Sequence, residues 1–255
     1  MDKSKFLEVA IEAAKNAEKI IMKHYSNDLT WQTKPDFSPV SIADTEAEKV
    51  IIKTIKEYFP DHSFLGEEYG SDNISSKYQW VIDPIDGTRN YVRKIPLFAT
   101  QIALIENGEI ILGVSNAPAM NEIIFAEKGK GAFLNGSKIS VSEVKNLSES
   151  YVSFGGVKHF KNYGYLQCLL KLAESTGGQR GFGDAWSFHL LAQGKIDIIV
   201  EAKIKIWDIA ALVIIIEEAG GKVTDINGNK ITVSSTSIIA TNNYLYNSVL
   251  EIFKK

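Results

Sequence analysis

Apolar residues recur at three- and four-residue spacing over residues 3–25. Phe6, Ala10, Ala13, Ala17, Ile20, Ile21 and His24 share one face, with lysines and glutamates opposite, which predicts an amphipathic helix. Polar residues and two prolines fill 33–39. Ser41 then stands three residues before Asp44, the spacing of a capping box. It opens a second helix to about residue 58, with Ala47, Val50, Ile51 and Ile55 as its apolar positions and Pro60 as its stop. From there to residue 140 the period falls to that of a strand. Short strands are predicted at 63–65 and 80–82, and longer ones at 97–105 and 109–116 across an Asn107-Gly108 turn. Two more follow at 122–126 and 131–133, before Asn135-Gly136. Residues 142–150 are polar and aperiodic. Beyond them, strands at 151–154, 196–200, 222–225 and 238–241 alternate with helices at 161–175, 184–193, 208–219 and 242–253. The pattern predicts an α+β subdomain over 1–141, two helices on a mostly antiparallel sheet, and a layered α/β subdomain over 142–255.

Composition narrows the class. The 255 residues are 45% hydrophobic and 23% charged, a globular chain able to bury a large core without staples. The single cysteine, Cys168, excludes an internal disulfide and a thiol-rich metal site. It falls within a predicted helix, where it reads as a structural thiol. A net charge of −3 argues against a general nucleic-acid binder. The longest apolar run, 209–216, is far short of the ~18–20 residues a membrane span needs. Asp2, Glu8, Glu12 and Glu18 interrupt any signal-peptide core. A cytoplasmic protein with no membrane or nucleic-acid partner is therefore expected.

The chemistry concentrates in Trp80-Val-Ile-Asp83-Pro-Ile-Asp86-Gly-Thr88. An apolar strand runs into two aspartates three residues apart. Pro84 stiffens the backbone between them, Gly87 permits close approach of a ligand, and Thr88 adds a hydroxyl. Two carboxylates on one rigid turn repel each other, and a hard divalent cation such as magnesium relieves that repulsion through oxygen ligands. Amides after Asp86 suit a phosphate if a helix begins there. Asp-Pro and Asp-Gly are also ordinary turn dipeptides. Other acids stand at element ends: Glu67 and Glu68 after a short strand, Asp208 at the head of an apolar helix, Asp44 in a first helical turn. Each has a plain structural reading, such as helix cap or dipole partner.

Gly66-Glu67-Glu68, Asp83-Pro-Ile-Asp86-Gly-Thr88, and Trp207-Asp208 followed by Glu217, Ala219, Gly220 and Gly221 together resemble the inositol monophosphatase family, a magnesium-dependent, lithium-sensitive phosphatase superfamily. The resemblance runs from Asp44 to Thr241. It implies a five-layer αβαβα sandwich of the inositol monophosphatase/fructose-1,6-bisphosphatase type, and commonly a homodimer. It implies two to three Mg²⁺ ions per site, with Li⁺ as an inhibitor. Glu67, Asp83 and the Ile85 carbonyl are expected to hold one ion, and Asp83, Asp86 and Asp208 a second, with a weaker third near Glu67. Asp44 and Thr88 match positions that orient the attacking water, and Gly87 and Thr88 amides face the phosphate. The implied activity is phosphomonoester hydrolysis by metal-activated water.

Relatives of this family act on inositol phosphates, fructose bisphosphate, adenosine bisphosphate or histidinol phosphate. Asp184, in Gly183-Asp184-Ala-Trp186, stands where inositol phosphatases usually have a small hydroxyl residue. A carboxylate there suits an ammonium group, and Trp186 is expected to wall an imidazole pocket. Asp184 as a helix cap and Trp186 as core are the plainer alternatives. Thr88-Arg89-Asn90-Tyr91-Val92-Arg93 resembles the histidinol-phosphatase branch, with Arg89 in place of a usual lysine. Glu201, seven residues before Asp208, matches a substrate-recognising glutamate of several branches. With Asp86 and Asp208, these residues form the expected substrate set. The expected reaction is L-histidinol phosphate plus water to L-histidinol and phosphate, a step of histidine biosynthesis. Inositol-1-monophosphatase, a broad sugar phosphatase including fructose-1,6-bisphosphatase, and a non-enzymatic phosphometabolite-binding regulatory module are the alternatives. His189, on an apolar helix, reads as structural.

Overall fold

Ser4 starts the first helix, α1 (Lys5–Tyr25): its hydroxyl accepts the Leu7 N–H at 3.2 Å. The computed structural model describes residues 3–27, 31–33, 39–72, 74 and 76–254. The proline-containing stretch contributes β1 (Trp31–Thr33) and β2 (Pro39–Ser41), which pair antiparallel. The residues between them lie outside the described ones. Then α2 (Ile42–Tyr58) begins where the capping-box spacing puts it. The Ser41 N–H and hydroxyl both donate to Asp44 Oδ2, at 2.8 and 2.7 Å.

A large sheet follows: β3 (Ser63–Gly66), β4 (Gly70–Ser71), β5 (Tyr78–Asp86), the short helix α3 (Thr88–Val92), β6 (Ala99–Glu106), β7 (Glu109–Ala117), β8 (Glu122–Glu127), β9 (Ala132–Leu134) and β10 (Ser137–Ile139). Its order is β10-β9-β8-β7-β6-β5-β3-β4, antiparallel except for β3 beside β5. The strand predicted to end at residue 82 runs on to Asp86. Asp83 stays paired with Gln101, and pairing resumes at Asp86–Ala99 after a register shift. The irregularity absorbs Pro84, which has no N–H to donate.

The second half holds β11 (Tyr151–Phe154), α4 (Val157–Asn162), α5 (Leu166–Ser175), β12 (Gly178–Arg180), α6 (Asp184–Ala192), β13 (Ile198–Ala202), α7 (Ile206–Glu218), β14 (Gly221–Thr224), β15 (Ser237–Asn242) and α8 (Tyr246–Phe253). The helix predicted over 161–175 is two helices, because the chain turns at Tyr163-Gly164 and the Tyr165 N–H folds back onto Phe160 O at 2.8 Å. The small sheet is ordered β12-β11-β13-β15-β14 and is mixed. β11 lies parallel to β12 and β13, and the other pairs are antiparallel.

Alternation along the strands sorts the core into layers. On β5, Trp80 and Ile82 point toward α1 and α2, while Val81 points to the opposite face. There α6 and α7 pack, and their far side meets Ile199, Ile238 and Ala240 of the small sheet. The other face of that sheet carries Val152, Ile198, Val200 and Ile239 against Phe160, Leu169, Val249 and Phe253. The result is the expected five-layer sandwich: α1 and α2, large sheet, α6 and α7, small sheet, then α4, α5 and α8. It also explains the apolar run at 209–216. α7 lies between two sheets, so it is apolar on every side. No helix among the described residues is long and apolar enough to cross a membrane.

His62 sits buried among the rings of Phe6, Phe59, Tyr78 and Trp80, and Trp80 Nε1–H donates to its Nδ1 at 3.0 Å. Burial lowers its pKa below the ordinary 6.5, against a smaller opposing pull from Asp61. A lowered folded pKa gives stability that is full above the unfolded value and is lost as pH falls through the folded one. Compared by thermal unfolding, wild type should therefore lose stability relative to His62→Gln as the pH falls from above to below about 6.5. A wild-type-minus-variant difference independent of pH contradicts this.

Candidate functional site

Three helix starts and the end of β5 meet in one place. At the start of α2, Asp44 Oδ2 takes the two Ser41 bonds, and Asp44 Oδ1 lies 3.5 Å from the Thr88 hydroxyl. At the start of α7, Asp208 Oδ2 accepts the Lys205 N–H at 2.7 Å. Asp208 is thus the third residue of its helix reaching back, not the N-cap. At the start of α6, the Ala185 N–H donates to Asp86 Oδ2 at 2.6 Å. Asp83, on β5, accepts the Ile85 N–H at 2.9 Å, and the Thr88 hydroxyl donates to the Ile85 carbonyl at 2.9 Å. Glu67 leaves β3 with its N–H on Ile82 O at 3.1 Å, beside Asp83.

Gly87 makes the turn from β5 into α3 feasible. Its φ is +85°, and a Cβ there would stand 2.8 Å from the Leu97 carbonyl. No other residue tolerates both constraints.

These acids feel one another. Asp83 is pushed well above the usual carboxylate range by burial first, then by the charges of Glu67, Asp86, Asp208 and Asp44. Asp86 is raised likewise by burial, then by Asp184, Asp208 and Glu201, although the Ala185 N–H opposes the shift. Burial pushes Asp208 up to about 7 and Asp44 up to about 6, against the backbone bonds that hold each in its charged form. One oxygen of each aspartate is committed to a backbone N–H. Among the described residues, no three such side chains are gathered at metal-ligand spacing. The donor set nevertheless fits a hard divalent cation, since it is all oxygen, with Asp83 and Asp86 buried and raised by burial and then by neighbouring charge.

A cavity of about 390 Å³ adjoins this junction. Its lining includes Asp86 and Asp208, two further carboxylates, Asp184 and Glu201, and three bases, Arg89, His159 and Lys203. Asp184 is the first residue of α6, after the N-cap Gly183, with φ +48°, and its Oδ2 accepts from Asn90 Nδ2 at 3.2 Å. Burial raises it to about 6, with Arg89 opposing. Glu201 is raised to about 8 by burial and by Asp184 and Asp208. Its Oε1 is buried and makes no hydrogen bond among the described residues.

Trp186 does not line this cavity. With about 3.6 residues per helical turn, residue 188 shares the face of residue 184 and residue 186 does not. Phe188, Phe154 and Phe182 supply the aromatic wall, while the Trp186 ring lies 5.8 Å from that of His189. His189 is structural as expected: it is fully buried, with Nε2 2.7 Å from Ser115 Oγ and Nδ1 3.3 Å from Glu122. No sequence pattern marks His159 or Lys203, which reach the cavity from α4 and from the β13–α7 connection. Glu48, buried one turn after Asp44, was also missed, although the i, i+4 spacing on a helix was available to find it.

A sequence model of the inositol monophosphatase family matches residues 2–255. A histidinol-phosphatase of Mycobacterium tuberculosis is 36% identical over 250 residues, 96% of each chain. A fructose-1,6-bisphosphatase/inositol-1-monophosphatase of Thermotoga maritima is 35% identical over 96% of this chain and 94% of its own. The crystal structure of the extragenic suppressor protein suhB from Bartonella henselae superposes with a TM-score of 0.93 at 33% identity, covering 99% of both chains.

Crowded acids of this kind should make the metal-free protein less stable than an uncharged variant. Asp83→Asn keeps the oxygen that accepts the Ile85 N–H and removes the repulsion. It should raise the metal-free unfolding midpoint, and it should abolish the further rise that millimolar divalent cation gives wild type. An unchanged cation-induced shift in Asp83→Asn, read by thermal denaturation, contradicts this.

Proposed function

The chain belongs to the inositol monophosphatase family and is a phosphomonoester hydrolase, and from that premise we propose that its substrate is L-histidinol phosphate and its metal magnesium. The observation that carries the substrate reading is the pairing of Asp184 with Glu201 on one cavity wall, Glu201 keeping a buried oxygen unbonded. An aminoalkyl imidazole phosphate offers an ammonium for Asp184, beside Arg89, and a ring N–H for the unbonded Glu201 oxygen. Phe154, Phe182 and Phe188 give the ring an apolar wall, in the role expected of Trp186. A histidinol-phosphatase with 36% identity across nearly the whole chain supports the reading.

In this reading Glu67, Asp83, the Ile85 carbonyl, Asp86 and Asp208 hold the cations. Magnesium bound there supplies a water of lowered pKa and neutralises charge on the transferring phosphoryl group. The protein does the rest. Thr88 orients the attacking water: its hydroxyl donates to Ile85 O at 2.9 Å, with Asp44 Oδ1 farther off at 3.5 Å, which leaves its lone pairs as acceptors. Asp44 is the proton acceptor at Oδ1, while its Oδ2 is held by Ser41. The amides of Gly87 and Thr88, at the start of α3, face the phosphate. Arg89 lies beside the ester and balances Asp184.

A second reading has one specific support. Arg89, His159 and Lys203 share the cavity and suit a more anionic sugar phosphate, and the Thermotoga maritima relative is named for fructose bisphosphate and inositol phosphate. Phosphate release from histidinol phosphate and from inositol-1-phosphate, each with magnesium, separates the two. The expected result is a higher kcat/KM for histidinol phosphate, and a higher value for inositol-1-phosphate overturns it. Asp184→Ser should lower kcat/KM for histidinol phosphate by about 10- to 100-fold, the loss of one charged hydrogen bond, and spare inositol phosphate. Equal loss on both contradicts the ammonium role.

A further inference from the structure

Glu48 follows Asp44 by one turn on the buried face of α2 and is 2% exposed. Its Oε2 accepts the N–H groups of Glu68 at 3.1 Å and Tyr69 at 2.9 Å, the two amides that follow Glu67. Its Oε1 presses on Gly66, the residue before Glu67. A Cβ on Gly66 would stand 1.7 Å from that oxygen. Oε1 makes no hydrogen bond among the described residues. One carboxylate therefore spans the whole turn that presents Glu67. On the other side, β5 fixes the same turn, through the Glu67 N–H on Ile82 O at 3.1 Å.

Burying a carboxylate is costly, and burying one oxygen of it unbonded is costlier still. An apolar side chain at position 48 would pack in α2 without that penalty. It would leave the Glu68 and Tyr69 amides without an acceptor, so the carboxylate serves the turn rather than the helix. α2 already positions Asp44, and one rigid element then sets two acids that arrive from different parts of the chain.

We propose that Glu48 is a positioning residue that clamps the 66–69 turn from α2 and so holds Glu67 toward Asp83 and Asp208. The proposal rests on the reading of Glu67 as a metal ligand. Outer groups that orient ligands typically govern about 10–100-fold in metal affinity.

The test combines hydrogen-exchange mass spectrometry of the peptide spanning 66–70 with calorimetric titration of magnesium into the intact protein. Glu48→Ala should speed exchange at Glu68 and Tyr69 and weaken magnesium binding by about 10–100-fold. Glu48→Gln keeps a carbonyl oxygen for both amides and should restore protection and most of the affinity. Gly66→Ala, which displaces the carboxylate while leaving Glu48 in place, should behave as Glu48→Ala. Unchanged exchange or unchanged magnesium affinity in a folded Glu48→Ala protein overturns the clamp. Lost affinity in Glu48→Gln with the amides still protected also overturns it, because Glu48 would then be a ligand itself. Wild-type protein that takes up no magnesium overturns instead the metal reading, recognisable because the exchange difference between variants persists.

Discussion

The structure depends on keeping like charges together against their repulsion. Asp44, Glu67, the Asp83–Asp86 pair and Asp208 come from separate stretches of the chain, and Asp44, Asp83 and Asp86 are buried. The fold opposes the repulsion with backbone N–H groups. Ser41, Lys205 and Ala185 donate at the N-terminal ends of α2, α7 and α6 to Asp44, Asp208 and Asp86. A helix N-terminus favours an anion by about 0.3–1 kcal/mol, and a charged hydrogen bond adds about 1.5–3 kcal/mol. Desolvating a charge costs several kcal/mol. The cost is the larger, so Asp44 and Asp208 are still raised to about 6 and 7. An external positive charge is the missing counterweight, and a cation-dependent phosphatase is a protein organised to receive it.

The layering makes this crowding mechanically feasible. α6 and α7 lie between the two sheets and pack on both. Their N-terminal ends arrive at the end of β5, where Asp83 and Asp86 stand across a register shift. Because α7 is apolar on every side, Asp208 is anchored by core packing rather than by surface contacts. The acids therefore cannot relax apart without opening the central layer. The same geometry places Asp184, the first residue of α6, at the cavity wall, so one helix start reaches both the buried acids and the cavity.

What was legible in the sequence was local. The Ser41–Asp44 spacing set the start of α2 correctly because a capping box is closed within four residues. Asn107-Gly108 set the β6–β7 turn because both residues take positive φ. The acids were legible one by one, while their convergence came only from family resemblance, since no periodicity reports which helix starts meet. The strand predicted over 80–82 falls short of Asp86 because the irregularity that accommodates Pro84 depends on pairing with β6. Residues 161–175 show one helical period, although Gly164, at φ +77°, turns the chain locally after α4. Trp186 stands off the cavity because the face that α6 turns to it is set by where Asp184 enters the helix. Glu48 carries no local mark of its burial, because the turn that covers it comes from residues 66–69 on a different element.

The most direct measurement of the central claim is anomalous diffraction from crystals soaked in manganese, a heavier stand-in for magnesium. Difference peaks bounded by Glu67, Asp83, the Ile85 carbonyl, Asp86 and Asp208 are the expected result. Manganese found only elsewhere, or no bound manganese while these five groups are ordered, would contradict it.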